Sequence, residues 1–107
     1  MDGLNFGDLF WIYDSSGKVL TSNAQDEIVF ADTSSLELDQ QLLMYCGHAS
    51  KPASFYLSFK YKRGFLAFSE QEKLINGVPF YERKTFTLES LSQALEKPFT
   101  TKLSEHA

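Results

Sequence analysis

This chain of 107 residues has one cysteine, Cys46, so it cannot close an internal disulfide. It has only two histidines, and neither a Cys-x-x-Cys nor a His-x-x-x-His pair, so the spacings of a structural metal site are missing. Asp14-Ser-Ser-Gly17 carries one acid where a calcium loop needs several. No Gly-x-Gly-x-x-Gly and no P-loop occurs, so the known phosphate-cradling loops are excluded. Apolar runs are short. The longest, 9–13 and 42–46, are five residues each, well below the ~20 that a membrane helix needs. Bases are outnumbered, 10 against 14 acids, and a net charge of −4 works against general binding to nucleic-acid phosphates. Met1-Asp2-Gly3 opens with an acid and no apolar stretch, so no secretory leader is expected and a reducing, cytoplasmic setting is the default.

What the chain does have is aromatic residues. They make up 15% of it, a surplus that can fill a core and still leave apolar surface for a partner. The length suits one domain that folds without a disulfide or metal staple. The expected bounds are 1–99 for that domain and 100–107 for a polar, frayed tail. Charge is split along the chain. Residues 1–53 hold eight acids and two bases, whereas 54–107 hold six acids and eight bases. Such asymmetry can align subunits or steer a partner, although solvated faces often differ in this way.

Apolar and turn patterns predict the elements. Asp8-Leu-Phe-Trp-Ile-Tyr13 reads as a strand covered on both faces. Asp14-Ser-Ser-Gly17 reads as a tight turn, and Lys18-Val-Leu-Thr21 as the return strand. Glu27-Ile-Val-Phe-Ala31 is a third strand. Ser34-Ser-Leu-Glu37 has the spacing of a capping box. Leu38, Leu42, Tyr45 and Cys46 follow at helical spacing, with Gly47 as the stop, so a first helix is expected there. Asn76-Gly77 is preferred as a hairpin turn between 73–75 and 78–81, with a short helix from Ser69 as the alternative. Thr87 caps a last helix with Leu88, Leu91 and Leu95 on one face, and Pro98 ends it.

Trp11-Ile-Tyr-Asp14-Ser-Ser-Gly17-Lys-Val-Leu20-Thr-Ser-Asn23-Ala24 resembles the opening hairpin of PAS domains, and of roadblock-type and longin-type domains. In PAS domains the Asn leads into short helices, whereas 26–31 here reads as a strand. Asp-x-x-Gly is also what many hairpins need physically. The resemblance implies a sheet-based module, and no functional residue is carried over.

The densest aromatic stretch is 55–68, which holds six of the sixteen aromatics. Phe55, Leu57, Phe59 and Tyr61 alternate onto one face, expected to be core. Tyr56, Ser58, Lys60 and Lys62 take the other. Arg63-Gly64-Phe65 begins like an RNA-recognition signature, but Leu66, Ala67 and Glu70 break the pattern that follows. Cys46 and His48 stand two apart, a spacing that does not bring a nucleophile and base together on a helix.

The expected fold is therefore α+β, a mainly antiparallel sheet of about five to seven strands with two amphipathic helices packed on one face. The expected function is a non-enzymatic binding module that self-associates, as a homodimer, through a sheet edge near 78–83 or an aromatic face. The alternative is a small-molecule sensor or enzyme whose aromatic-lined pocket takes a planar or cationic ligand. Single-stranded nucleic acid is a weaker third reading. The candidate ligand or interface residues are Trp11, Tyr13, Tyr56, Lys60, Lys62, Arg63 and Tyr81. No catalytic residue, cofactor or metal is assigned.

Overall fold

The computed structural model describes residues 3–48, 50–51, 53–68, 74–78 and 84–105, with backbone only at Phe68 and Val78. Among these residues are eight strands, one α-helix and two 3-10 turns. The strands are β1 (Leu9–Asp14), β2 (Val19–Ser22), β3 (Ile28–Ala31), β4 (Leu43–Gly47), β5 (Phe55–Phe59), β6 (Phe65–Phe68), β7 (Leu74–Val78) and β8 (Phe99–Leu103). The helix α1 spans Leu88–Leu95, and the 3-10 turns span Thr33–Ser35 and Leu38–Gln41. Every strand pairing is antiparallel.

The first turn forms as its residues dictate. Asp14 Oδ1 accepts from Ser16 N at 2.9 Å, Ser16 Oγ at 2.8 Å and Lys18 N at 3.0 Å. Gly17 N closes the turn onto Asp14 O. Burial works to raise the Asp14 pKa. The Ser16 hydroxyl, the two backbone donors and the Lys97 ammonium 3.8 Å away outweigh it and hold the carboxyl below its usual value.

β1 is the hub of the sheet. Phe10 pairs with both Leu103 and Leu43, and Tyr13 pairs with both Thr100 and Val19. A strand has only two edges, so β8 holds one of them and β2 and β4 share the other. β2 takes the C-terminal half of that shared edge and β4 the N-terminal half, which leaves a fork between them. β2 continues to β3 and β4 continues to β5. The β6–β7 hairpin lies against β5 on one side and β3 on the other, with a Glu27–Ile75 bridge. The core sits inside this wrap, with Phe10, Ile12, Leu20, Leu43, Phe55 and Leu57 among its buried residues. Leu91 of α1 joins it fully buried, and Ala94 and Leu95 pack at its margin.

Several expectations are corrected. The first helix does not form. Glu37 is extended and makes no cap, and 43–47 is strand β4. The C-terminal part of the segment read at helical spacing also alternates, with Leu43 and Tyr45 buried and Met44 and Cys46 half-buried. The period of two prevails because β1 and β5 both have backbone groups that need a strand between them. The fold is thus a forked antiparallel sheet with a separate hairpin and one described helix, not a sheet with two packed helices.

Asn76-Gly77 is not a turn; both residues lie inside β7. Phe65 pairs Val78 and Ala67 pairs Ile75, so β7 carries an extra residue and bulges. Residues 69–73 and 79–83, which hold the rest of both proposed arms, the start of the alternative helix and most of the proposed 78–83 edge, fall outside the described residues; 74–76, where that helix would continue, are strand. The tail is corrected in part, because 99–103 forms β8 along β1. Its polar side chains reflect an edge position, not disorder. Tyr61 is 52% exposed, while Phe55, Leu57 and Phe59 are buried as expected. β5 ends at Phe59, and Tyr61 already belongs to the turn. The Thr87 cap does form, with Ser90 as its reciprocal partner, though Leu88 faces solvent.

Candidate functional site

The candidate residues do not gather in one place. Trp11 and Tyr13 are half-buried on the outward face of β1. They pair across to Lys102 and Thr100 of β8. Trp11 Nε1 donates to Leu38 O at 2.7 Å, which ties the second 3-10 turn over this face. Tyr56 lies on the outward face of β5 and makes ring contacts with His48 at 5.7 Å and Phe65 at 6.0 Å. Lys60 and Arg63 are exposed in the β5–β6 turn, with Lys60 Nζ 5.1 Å from the Tyr61 ring. Tyr81 lies outside the described residues. Cys46 is half-buried on β4, and His48 follows that strand instead of a helix.

Lys62 turns inward and caps the fork. Its ammonium donates to Ser22 Oγ at 3.0 Å, Gln41 Oε1 at 3.0 Å and Thr21 Oγ1 at 3.3 Å. Thr21 Oγ1 in turn donates to Gln41 Oε1 at 2.5 Å. The Phe59 ring centroid lies 4.6 Å from Nζ. Thr21 and Gln41 are buried polar residues, and together they satisfy one another where β2 leaves β1. Among the described residues no carboxylate lies within ion-pair distance of Lys62. Desolvation lowers its pKa, against a smaller opposing pull from the Asp26 charge. This cluster joins β2, the second 3-10 turn just before β4, and the β5–β6 turn. All three ammonium protons are used, and the arrangement holds the fork together.

The edge of β8 has a different character. Ser104 N donates to Leu9 O, so by strand alternation Thr100 and Lys102 direct their backbone groups at β1. Phe99, Thr101 and Leu103 therefore direct N–H and C=O away from β1. Among the described residues no strand pairs with this outer edge. Residues 100–103 are exposed, and Leu103 is 47% exposed although it shares the core-side face with Phe10. Periodicity did not reveal the edge, because its residues were read as tail. The signal present was the pair of β-branched residues at 100–101 between Phe99 and Leu103.

A shallow groove of about 550 Å³ runs beside the start of β8, lined by Leu88, Ser92, Glu96, Lys97, Pro98 and Phe99. Tyr13 and Tyr56, expected to orient a small ligand, do not line it. No group of three metal-ligating side chains gathers among the described residues. No helix there is long and apolar enough to cross a membrane. Compared with known proteins, the chain matches no family model, no curated sequence and no solved structure.

Proposed function

We propose that this chain is a small interaction module that binds by strand addition, accepting an extended segment along the outer edge of β8. The observation that carries this reading is the row of outward backbone groups at Phe99, Thr101 and Leu103 on an exposed strand. An exposed row of this kind is a template for another strand, and folded proteins normally cover or blunt it. Here the blunting is slight. Lys102 is the one charged residue in the strand, and its partner across β8–β1 is Trp11 on the outward face. That same face brings Trp11, Tyr13 and Lys102 beside the edge, where an incoming strand would meet an amphipathic row.

Amide hydrogen exchange tests the reading. In the dilute chain, the amides of Phe99, Thr101 and Leu103 should exchange about tenfold or more faster than those of Thr100 and Lys102, which bond β1. Equal protection of the two sets in the dilute chain would mean that the edge is already covered, and the reading would fall.

A further inference from the structure

We infer that the strand added to β8 is the β8 of a second copy, antiparallel about a twofold axis through Thr101; this rests on the strand-addition reading above. In an antiparallel ladder, residues whose backbone groups point across must face residues that do the same. The outward set is Phe99, Thr101 and Leu103, so the axis must preserve that parity. An axis through any residue of the strand does so, and three of these, through Thr100, Thr101 or Lys102, keep more than one facing residue within the strand. Centring on Thr100 sets Leu103 against Lys97 and Lys102 against Pro98, beyond the strand's start. Centring on Lys102 sets the two lysines directly opposite each other, which is repulsive. Only centring on Thr101 uses every outward residue, with two hydrogen bonds for each facing pair.

That register is also complementary in its side chains. Phe99 of each copy faces Leu103 of the other, and Thr100 faces Lys102. Phe99 and Leu103 lie on the core-side face, in line with Asp14 and Phe10, so each Phe–Leu pair extends that face across the axis. The pairing gives the exposed Leu103 an apolar neighbour. Continued beyond the strand, the register brings the exposed Glu105 of one copy toward Lys97 of the other, twice by symmetry. The Lys97 side chain is 55% exposed, so it can reach outward from its Asp14 contact. Charge complementarity at both ends therefore points to a second copy as the occupant.

Sedimentation velocity of the full chain through the micromolar range is the test, with Thr101→Lys and Thr101→Glu beside it. Thr101 is exposed, so both variants should fold, and circular dichroism checks that they do. The expected result is a dimer for the unmodified chain and a dissociation constant about tenfold or more weaker for each variant, because like charges then face across the axis. An equal mixture of the two variants should recover the dimer, since Lys then faces Glu. A strict monomer with fast outward amides overturns the pairing of copies and leaves the strand-addition reading standing. A dimer indifferent to both variants overturns the register.

Discussion

Lys62 reaches from the β5–β6 turn to the polar side chains beside the fork between β2 and β4. Alternation placed it on the outward face with Tyr56, beside Lys60 and Arg63. In the folded chain it leaves that row and bonds Thr21, Ser22 and Gln41, which lie 41, 40 and 21 positions away. Lys62→Met keeps the stem over Phe59 and removes the ammonium. It should lower stability in urea unfolding by about 1 kcal/mol near neutral pH, because water and the remaining hydroxyls replace part of the network. The pH dependence has a definite sign. Desolvation lowers the folded-state pKa below the unfolded value of 10.5, so in the window between them the unfolded chain binds more protons. Stability therefore rises with pH across that window, relative to the Met variant. A difference that stays flat up to the ordinary lysine pKa would show that Lys62 is not desolvated.

At the scale of elements, β4 and β7 diverge most from the linear pattern. Both were read from local signals that are sound in isolation, a helical stripe in one and an Asn-Gly turn in the other. Neither signal records that neighbouring strands need partners. In β7, Gly77 sits in the bulge at φ +82°, a conformation that Asn-Gly also favours in turns, so the residue was informative and the element was not. Gly64 has φ +82° as well, and a Cβ there would lie 2.3 Å from the Gly77 Cα. Gly64→Ala must therefore push one backbone off the other. It should cost about 2 kcal/mol or more, with the loss centred on β6 and β7 in amide exchange. An unchanged melting temperature would contradict the close approach of these two strands. α1 was legible because its signals are local. Its cap, its buried Leu91 and its stop all lie within a dozen residues.

For the whole molecule, closure by β8 matters most. β8 covers one edge of β1 from Phe10 to Asp14, and β1 is the strand from which both arms of the fork depart. Removing 99–107 would strip backbone partners from Trp11 and Tyr13 and uncover the flank of Phe10 and Ile12, both fully buried. The truncated chain is expected to lose cooperative thermal unfolding, followed by circular dichroism. A frayed tail would instead be removable at no cost, so retention of the full-length transition would restore that reading. The candidate site was legible only in its aromatic members. Trp11 and Tyr13 do lie beside the β8 edge, but the edge itself emerges only when a polar C-terminal segment returns across the chain to β1.

The sequence by itself determined the antiparallel character, the Asp14 turn, the buried row Phe55, Leu57 and Phe59, and the Thr87 cap. Each of these depends on residues within a few positions of one another, where dihedral preference and alternation decide. Tertiary structure alone decided that 43–47 is a strand, that β1 carries three partners, that Lys62 caps the fork and that the outer edge of β8 has no strand partner among the described residues. Those outcomes depend on backbone groups distant in sequence satisfying one another, and a strand's need for a partner leaves little mark on its own side chains.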